Sequence, residues 1–406
     1  MSTTQDRPPL GDERVILLEQ TRARKMARSS HRYVRGNTIP FYEWLDSHPE
    51  SGVPEGPPVW ICGDCHVGNL GPLSDKAGRV RIHIRDLDQT VIGNPAHDLV
   101  RLALSLASAA RGSDLPGVTT AYMLEAIMDG YESAFEHDFD EAKDNPEPPD
   151  AVRLAMKQAT KRTWKQLAKE RLEDVRPKIP LGEKFWPVSG EELQALESIF
   201  QDRSIARLAT MVKARDDEAT VELMDSAYWM KGCSSLGLLR YAVLLRVEDK
   251  DEDSSDLCLM DVKEAVESAA PTASTDMPSG HARRVVEGAL HISPFLGERM
   301  RATSMLGRPV FIRELMPQDL KLELTQLDSE EAMKAAEYLA TVVGFAHARQ
   351  MDSATRTSWQ KELNRHRTRE LDAPLWLWTA VVGLLVEHER SYLEHCRLYA
   401  VSDAAS

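Results

Sequence analysis

Apolar and polar positions follow different periods along this chain, and the changes of period mark three blocks. Over residues 12–30, Val15, Leu17, Leu18, Met26 and Ala27 recur among charged residues, which predicts an amphipathic helix. Pro58-Val-Trp-Ile-Cys62 is a short apolar run stopped by Gly63, the pattern of a buried strand. Val80 to Ile84 alternates apolar and basic residues, as a half-buried strand does, with a turn over 73–78 before it. Pro95 then sits near a helix start, and Leu99, Leu102, Ala103 and Leu106 share one face of that helix. Residues 117–200 read as helical, interrupted by an acidic, proline-bearing stretch over 136–150.

Near residue 220 the pattern turns to strands. Gly232-Cys-Ser-Ser-Leu-Gly237 precedes an apolar run over 238–247, an acidic stretch over 248–256 and a second run, Leu257-Cys-Leu-Met-Asp-Val-Lys263. Two strands around a charged turn predict a hairpin. A helix over 282–290 and a strand over 309–315 follow, and from Glu330 the chain returns to helix through His347 and again over 376–399. The expected class is α+β, divided into a helical block (1–219), a β-rich block (220–325) and a helical return (326–406).

Composition narrows the function. With 50 Lys+Arg against 64 Asp+Glu the formal charge is −14, which argues against nucleic acid or an anionic membrane as the main partner. The most apolar segment, Leu375 to Val386, has 12 residues, whereas crossing a bilayer takes about 20. Five scattered cysteines and an N-terminus without an apolar run point to a reducing, cytoplasmic setting.

The chemistry concentrates in Ile61-Cys-Gly-Asp-Cys-His-Val-Gly-Asn69, Ile84-Arg-Asp-Leu-Asp88 and Gly93-Asn-Pro-Ala-His-Asp-Leu-Val-Arg-Leu102. An aspartate in a loop after a strand can sit beside a hydroxyl substrate. An asparagine five residues on offers an amide oxygen, and a second strand delivers Asp86 and Asp88 as further hard oxygen ligands, a set suited to Mg²⁺. Phosphoryl transfer needs these parts: an orienting carboxylate, metal ligands and charge neutralisation.

These segments resemble the catalytic segment of the aminoglycoside and choline phosphotransferases, of the protein-kinase-like superfamily. The resemblance implies that Asp64 is the catalytic aspartate, that Asn69 and Asp86 ligate Mg²⁺ and that Asp98 braces the loop; beside it, Asp88 is read as a further ligand and His66 and Arg35 as structural support. Cys62 stands where those enzymes have His, and Asn94 where they have Asp. A broader resemblance covers most of the chain. Tyr33-Val-Arg-Gly36, Gly63-Asp-Cys-His66, Asp86-Leu-Asp88, Val262-Lys-Glu-Ala265, Arg284-Val-Val-Glu-Gly288 and Ala346-His-Ala-Arg349 occur in order as in a bacterial family of unknown function, family 2252, which brings no substrate with it.

The kinase comparison further implies a glycine-rich phosphate loop, a strand lysine and a helix glutamate. Here they follow the catalytic segment: Gly232 and Gly237 for the loop, Lys263 for the lysine, Glu287 for its carboxylate. That order implies a two-lobed, circularly permuted kinase-like fold that uses ATP and Mg²⁺. The acceptor is an unidentified hydroxyl compound, small molecule or protein. A nucleotide-binding scaffold and an AMP-transferring enzyme remain alternatives. Cys62-x-x-Cys65-His66 also matches a haem-attachment or half-zinc pattern, but haem attachment requires export and zinc requires two more ligands.

Overall fold

The computed structural model describes residues 11–75, 79–113, 115–136, 147–161, 178–211, 219–232, 236–248, 255–316, 327–365 and 373–399. Chain order runs α1 (Gly11–Ala27), α2 (Ser30–Arg35), α3 (Thr38–Ser47), β1 (Val59–Ile61), β2 (Leu70–Ser74), β3 (Val80–Ile84), β4 (Val91–Gly93), α4 (Pro95–Arg111), α5 (Gly117–Ser133) and α6 (Asp150–Lys161). It continues through β5 (Phe185–Trp186), α7 (Gly190–Phe200), β6 (Thr220–Trp229), β7 (Arg240–Glu248), β8 (Ser255–Glu264), α8 (His281–Ile292), β9 (Met300–Met305), β10 (Arg308–Glu314), α9 (Ser329–Ala348), α10 (Ser353–Leu363) and α11 (Leu375–Tyr399). Single-turn helices are left unlabelled. Helix and strand segregate along the chain, as the α+β expectation has it, and no described helix is long and apolar enough to cross a membrane.

The helix starts have local causes. The Asn94 side chain accepts the Ala96 N–H at the head of α4, with Pro95 in the first turn. Asp328 and Glu331 form a reciprocal capping box at the head of α9. β5, β6, β7, β8, β10 and β9 lie in that order in one antiparallel sheet. The expected hairpin is β7–β8, with Arg240 opposite Lys263 and Tyr241 opposite Val262; residues 249–254 of its turn lie outside the described residues.

Alternation along these strands gives the sheet two different faces. One is apolar: Tyr241, Val243, Met260, Val262 and Ile312 pack with Leu196 and Phe200 of α7. On the other, Arg240, Asp261, Lys263 and Arg313 are cross-strand or next-but-one neighbours. A separate core joins α4, α5, α9 and α11 to β1–β4. Val285, Ala289 and Ile292 of α8 belong to that core, although they lie inside the 220–325 block, while α7 lies before that block and packs on the sheet. The reason is α8's single apolar stripe, which lies between the β1/β4 pair and the β9–β10 edge of the sheet and joins the two.

α1 departs from its expected face. Leu18 and Met26 are buried, but Val15 and Leu17 are exposed. The inward stripe steps by four through Arg14, Leu18, Arg22 and Met26, and its arginines carry partners: Arg14 pairs with Glu192 at 2.5 Å, and Arg22 donates to the Gly36 carbonyl. Paired charges on an inward stripe escape an apolar pattern.

α5 and α9 cross at glycines. A Cβ on Gly130 would stand 2.1 Å from the Glu337 carbonyl oxygen, and one on Gly344 would stand 2.7 Å from that of Tyr131. Gly130→Ala should therefore destabilise the protein by about 1–3 kcal/mol in urea unfolding, because the backbone clash outweighs the gain of about 1 kcal/mol in helix propensity. An unchanged midpoint would show that the two helices can separate freely at this crossing.

Candidate active site

The loop after β1 is shaped by a glycine and a carboxylate. Gly63 has φ +74°, and a Cβ there would lie 2.0 Å from the Gln89 carbonyl oxygen, so only glycine fits. Asp98, fully buried on α4, accepts the Cys62 N–H at 2.7 Å and the Gly63 N–H at 2.9 Å. His347, near the end of α9, reaches the same carboxylate through Nε2 at 3.2 Å. Gln350 bonds the N–H and C=O of Trp60 at 2.9 Å each, which seats the end of α9 beside β1.

This frame presents Asp64. Its Oδ1 accepts from Arg101 Nε at 2.9 Å, and its Oδ2 lies 3.7 Å from His66 Nε2. Arg101 also donates to the Val34 carbonyl at 2.7 Å, tying α2 to the loop. Burial pushes the Asp64 pKa up, against the lowering pull of Arg101. Asn69 closes the same loop: its side-chain N–H donates to the Asp64 carbonyl at 2.9 Å, and its own carbonyl accepts the Arg85 N–H at 2.8 Å. Asn69 therefore faces the residue that precedes Asp86.

Asp86 and Asp88 follow β3 and meet Lys263 of β8. The Lys263 ammonium lies 3.4 Å from Asp86 Oδ1 and pairs with Asp88 Oδ2. Its side chain is 4 % exposed, whereas that of Asp86 is 42 % exposed. So the cation is sealed into the sheet and the carboxylate opens to solvent. Behind them Arg240 holds Asp261 by two bonds of 3.0 and 2.6 Å, and Arg313 lies 3.5 Å from the same carboxylate and donates to the Arg85 carbonyl. Burial opposes charge on Asp86 and Asp261, but the surrounding Lys263, Arg240 and Arg313 hold both carboxyls well below the usual range. Asp88 goes the other way: burial and the Asp86 charge push it up to about 6.

Other expected site residues fall differently. Glu287 is exposed on α8, and the carboxylates at Lys263 are Asp86 and Asp88; this corrects the expected Lys263–Glu287 pair. α8 instead turns Arg284, three residues before Glu287, inward, where it donates to the Thr90, Asp88 and Val266 carbonyls. Gly232 and Gly237 both have positive φ, +96° and +103°, but residues 233–235 between them lie outside the described residues. Arg35 ends α2 with its guanidinium against Gly68.

Cys62, Cys65 and Asp98 offer atoms within 4.8 Å of one another. The Asp98 oxygens are already taken by two backbone N–H groups and His347, and burial pushes the Cys62 thiol well up, away from the thiolate a metal would need. The cluster is a hydrogen-bonded brace for the loop.

Arg101, Arg240, Asp261, Arg284 and Arg313 carried no expectation. Arg101 left one signal: it stands one helical turn after Asp98, so both face the loop. The others depend on strand register and helix docking.

An α+β frame thus brings acidic oxygens and buried cations from distant segments together. Residues 14–398 match the profile of the family described as "Uncharacterized protein conserved in bacteria (DUF2252)", and the chain belongs to that family. No curated protein and no solved structure matches the chain.

The Asp88 shift has a measurable consequence. Between about pH 4, where a free aspartate ionises, and about pH 6, the folded protein keeps a proton that the unfolded chain has released. Stability falls as pH rises through that window. In EDTA, the Tm of Asp88→Asn relative to the unaltered protein should climb across it. A pH-independent difference would contradict the raised pKa.

Proposed function

We propose that this protein is an ATP- and Mg²⁺-dependent phosphotransferase of kinase-like, circularly permuted architecture, acting on a hydroxyl acceptor. The observation that carries the reading is the meeting of Lys263 with Asp86 and Asp88 across 177 and 175 residues, near enough to Asp64 for its carboxyl to feel the Asp86 charge. Such a meeting is what a kinase-like site requires once its lysine strand follows its metal-binding strand in the sequence.

The donor set fits Mg²⁺: the ligands are oxygens, Asp86 is half-exposed, and Asp88 Oδ1 is buried without a hydrogen-bond partner. Asn69 spends its N–H on the Asp64 carbonyl, which leaves its amide oxygen for a cation. Asn69, Asp86 and Asp88 would hold the ion, which supplies neutralising charge to the nucleotide phosphates.

The chain's own residues supply the rest. Lys263, already balanced against two carboxylates, adds positive charge where phosphates sit. Asp64 is held at Oδ1 by Arg101 and presents Oδ2. A carboxylate restrained by a guanidinium is suited to orienting an acceptor hydroxyl, and a loose phosphoryl-transfer transition state asks little more of it. Gly232 and Gly237, with their positive φ, suit a backbone that closes over phosphates.

Isothermal titration tests the reading. ATP should bind clearly with Mg²⁺ and weakly without it, and Asp86→Asn should abolish that dependence while the unliganded protein stays folded. Absence of any Mg²⁺-dependent ATP binding would end the proposal. Asp64→Asn should keep nucleotide affinity and lower turnover by about 10²–10⁴-fold. Mass spectrometry of the product separates phosphoryl from AMP transfer.

A further inference from the structure

Arg35 ends α2 beside the loop that carries Asp64, and among the described residues it has no matching carboxylate. The usual role of an arginine in the last turn of a helix is an ion pair or a bond to the helix's own carbonyls. Neither holds here among the described residues: no carboxylate lies within ion-pair distance of Arg35, and its Nε is buried with no hydrogen-bond partner. Leaving a guanidinium N–H unmade in a buried place is unfavourable, so such a group is commonly met by something that binds.

Its position is specific. The guanidinium carbon and Nε each lie 3.1 Å from where a Cβ on Gly68 would stand, and His66 Cε1 lies 3.2 Å from the same point. Gly68 precedes Asn69, and His66 borders Asp64 Oδ2. The backbone beside it is fixed: Arg101 bonds both Asp64 and the carbonyl of Val34, and Arg22 bonds the carbonyl of Gly36. Arg35 is thus held from both sides against the loop that joins Asp64 to Asn69. A Cβ at Gly68 would press on the guanidinium, which would have to give by a few tenths of an ångström.

We infer that Arg35 is a catalytic residue that grips the transferring phosphoryl group from beside the Asp64–Asn69 loop. The inference rests on the phosphotransferase reading and adds to it a second cation besides Lys263. A planar guanidinium matches phosphoryl oxygens by paired N–H donors, and charge placed on the transferring group is worth most in the transition state.

Mg-ADP with and without fluoroaluminate, a mimic of the phosphoryl group in flight, tests this by binding alone, and no acceptor needs to be known. In the unaltered protein fluoroaluminate should tighten Mg-ADP. Arg35→Gln should keep the Mg-ADP affinity and the Tm, and lose about tenfold or more of the tightening. Arg35→Lys should retain part of it, and added guanidinium ion should restore part of it to Arg35→Gln. Equal tightening in Arg35→Gln and the unaltered protein would overturn the role of Arg35 and leave the phosphotransferase reading standing. So would unfolding of both variants, which would assign Arg35 to packing. Failure of the unaltered protein to bind Mg-ADP would overturn both.

Discussion

Asp98 has no solvent exposure, and its two oxygens gather a strand end, a helix and a distant second helix. The Cys62 and Gly63 N–H groups belong to a loop too tight to bond itself, and buried backbone donors must be met. Asp98 meets them from the first turn of α4, and His347 approaches from α9, 249 residues away. Everything presented by the loop inherits its position from this carboxylate. Arg101, one turn further along α4, then fixes Asp64, and the Asp64 carbonyl fixes Asn69.

The charged face that meets this loop region is built by register. In the antiparallel sheet Arg240 faces Lys263 and Arg313 faces Asp261, so three cations and one carboxylate share a face. Burying this many charges is unfavourable unless each is paired and hydrogen-bonded. Asp261 answers Arg240 and Arg313 within the sheet, while the answer to Lys263 comes from Asp86 and Asp88. A lysine with no partner inside the sheet and an acidic strand end therefore hold the sheet to the segment after β3. Arg284 adds a neutral tie, joining the Val266 carbonyl to those of Asp88 and Thr90.

Much of this could be read from residue order. The apolar periods gave the main helices and the β7–β8 hairpin their places, since burial of one face imposes the period. Asp64, Asn69 and Asp86 stood out by residue type and spacing in a strand-and-loop setting, Asp98 by the resemblance to phosphotransferases, and the Cys-x-x-Cys-His pattern was set aside because haem attachment requires export and zinc requires two more ligands. What the sequence could not carry was direction. Glu287 and Arg284 share one helix, and which of them turns inward was decided by the docking of Gly288 against Thr90, where a Cβ would stand 2.4 Å from the threonine side chain. α1 hid its inward arginines because their partners, Glu192 and the Gly36 carbonyl, lie in other segments. The sequence by itself determined which residues could do chemistry, because residue type and local spacing are one-dimensional facts. Only the tertiary structure decided which groups meet, because the ion pair between residues 88 and 263 and the hydrogen bond between 98 and 347 depend on how helices and strands pack, and no local pattern records that.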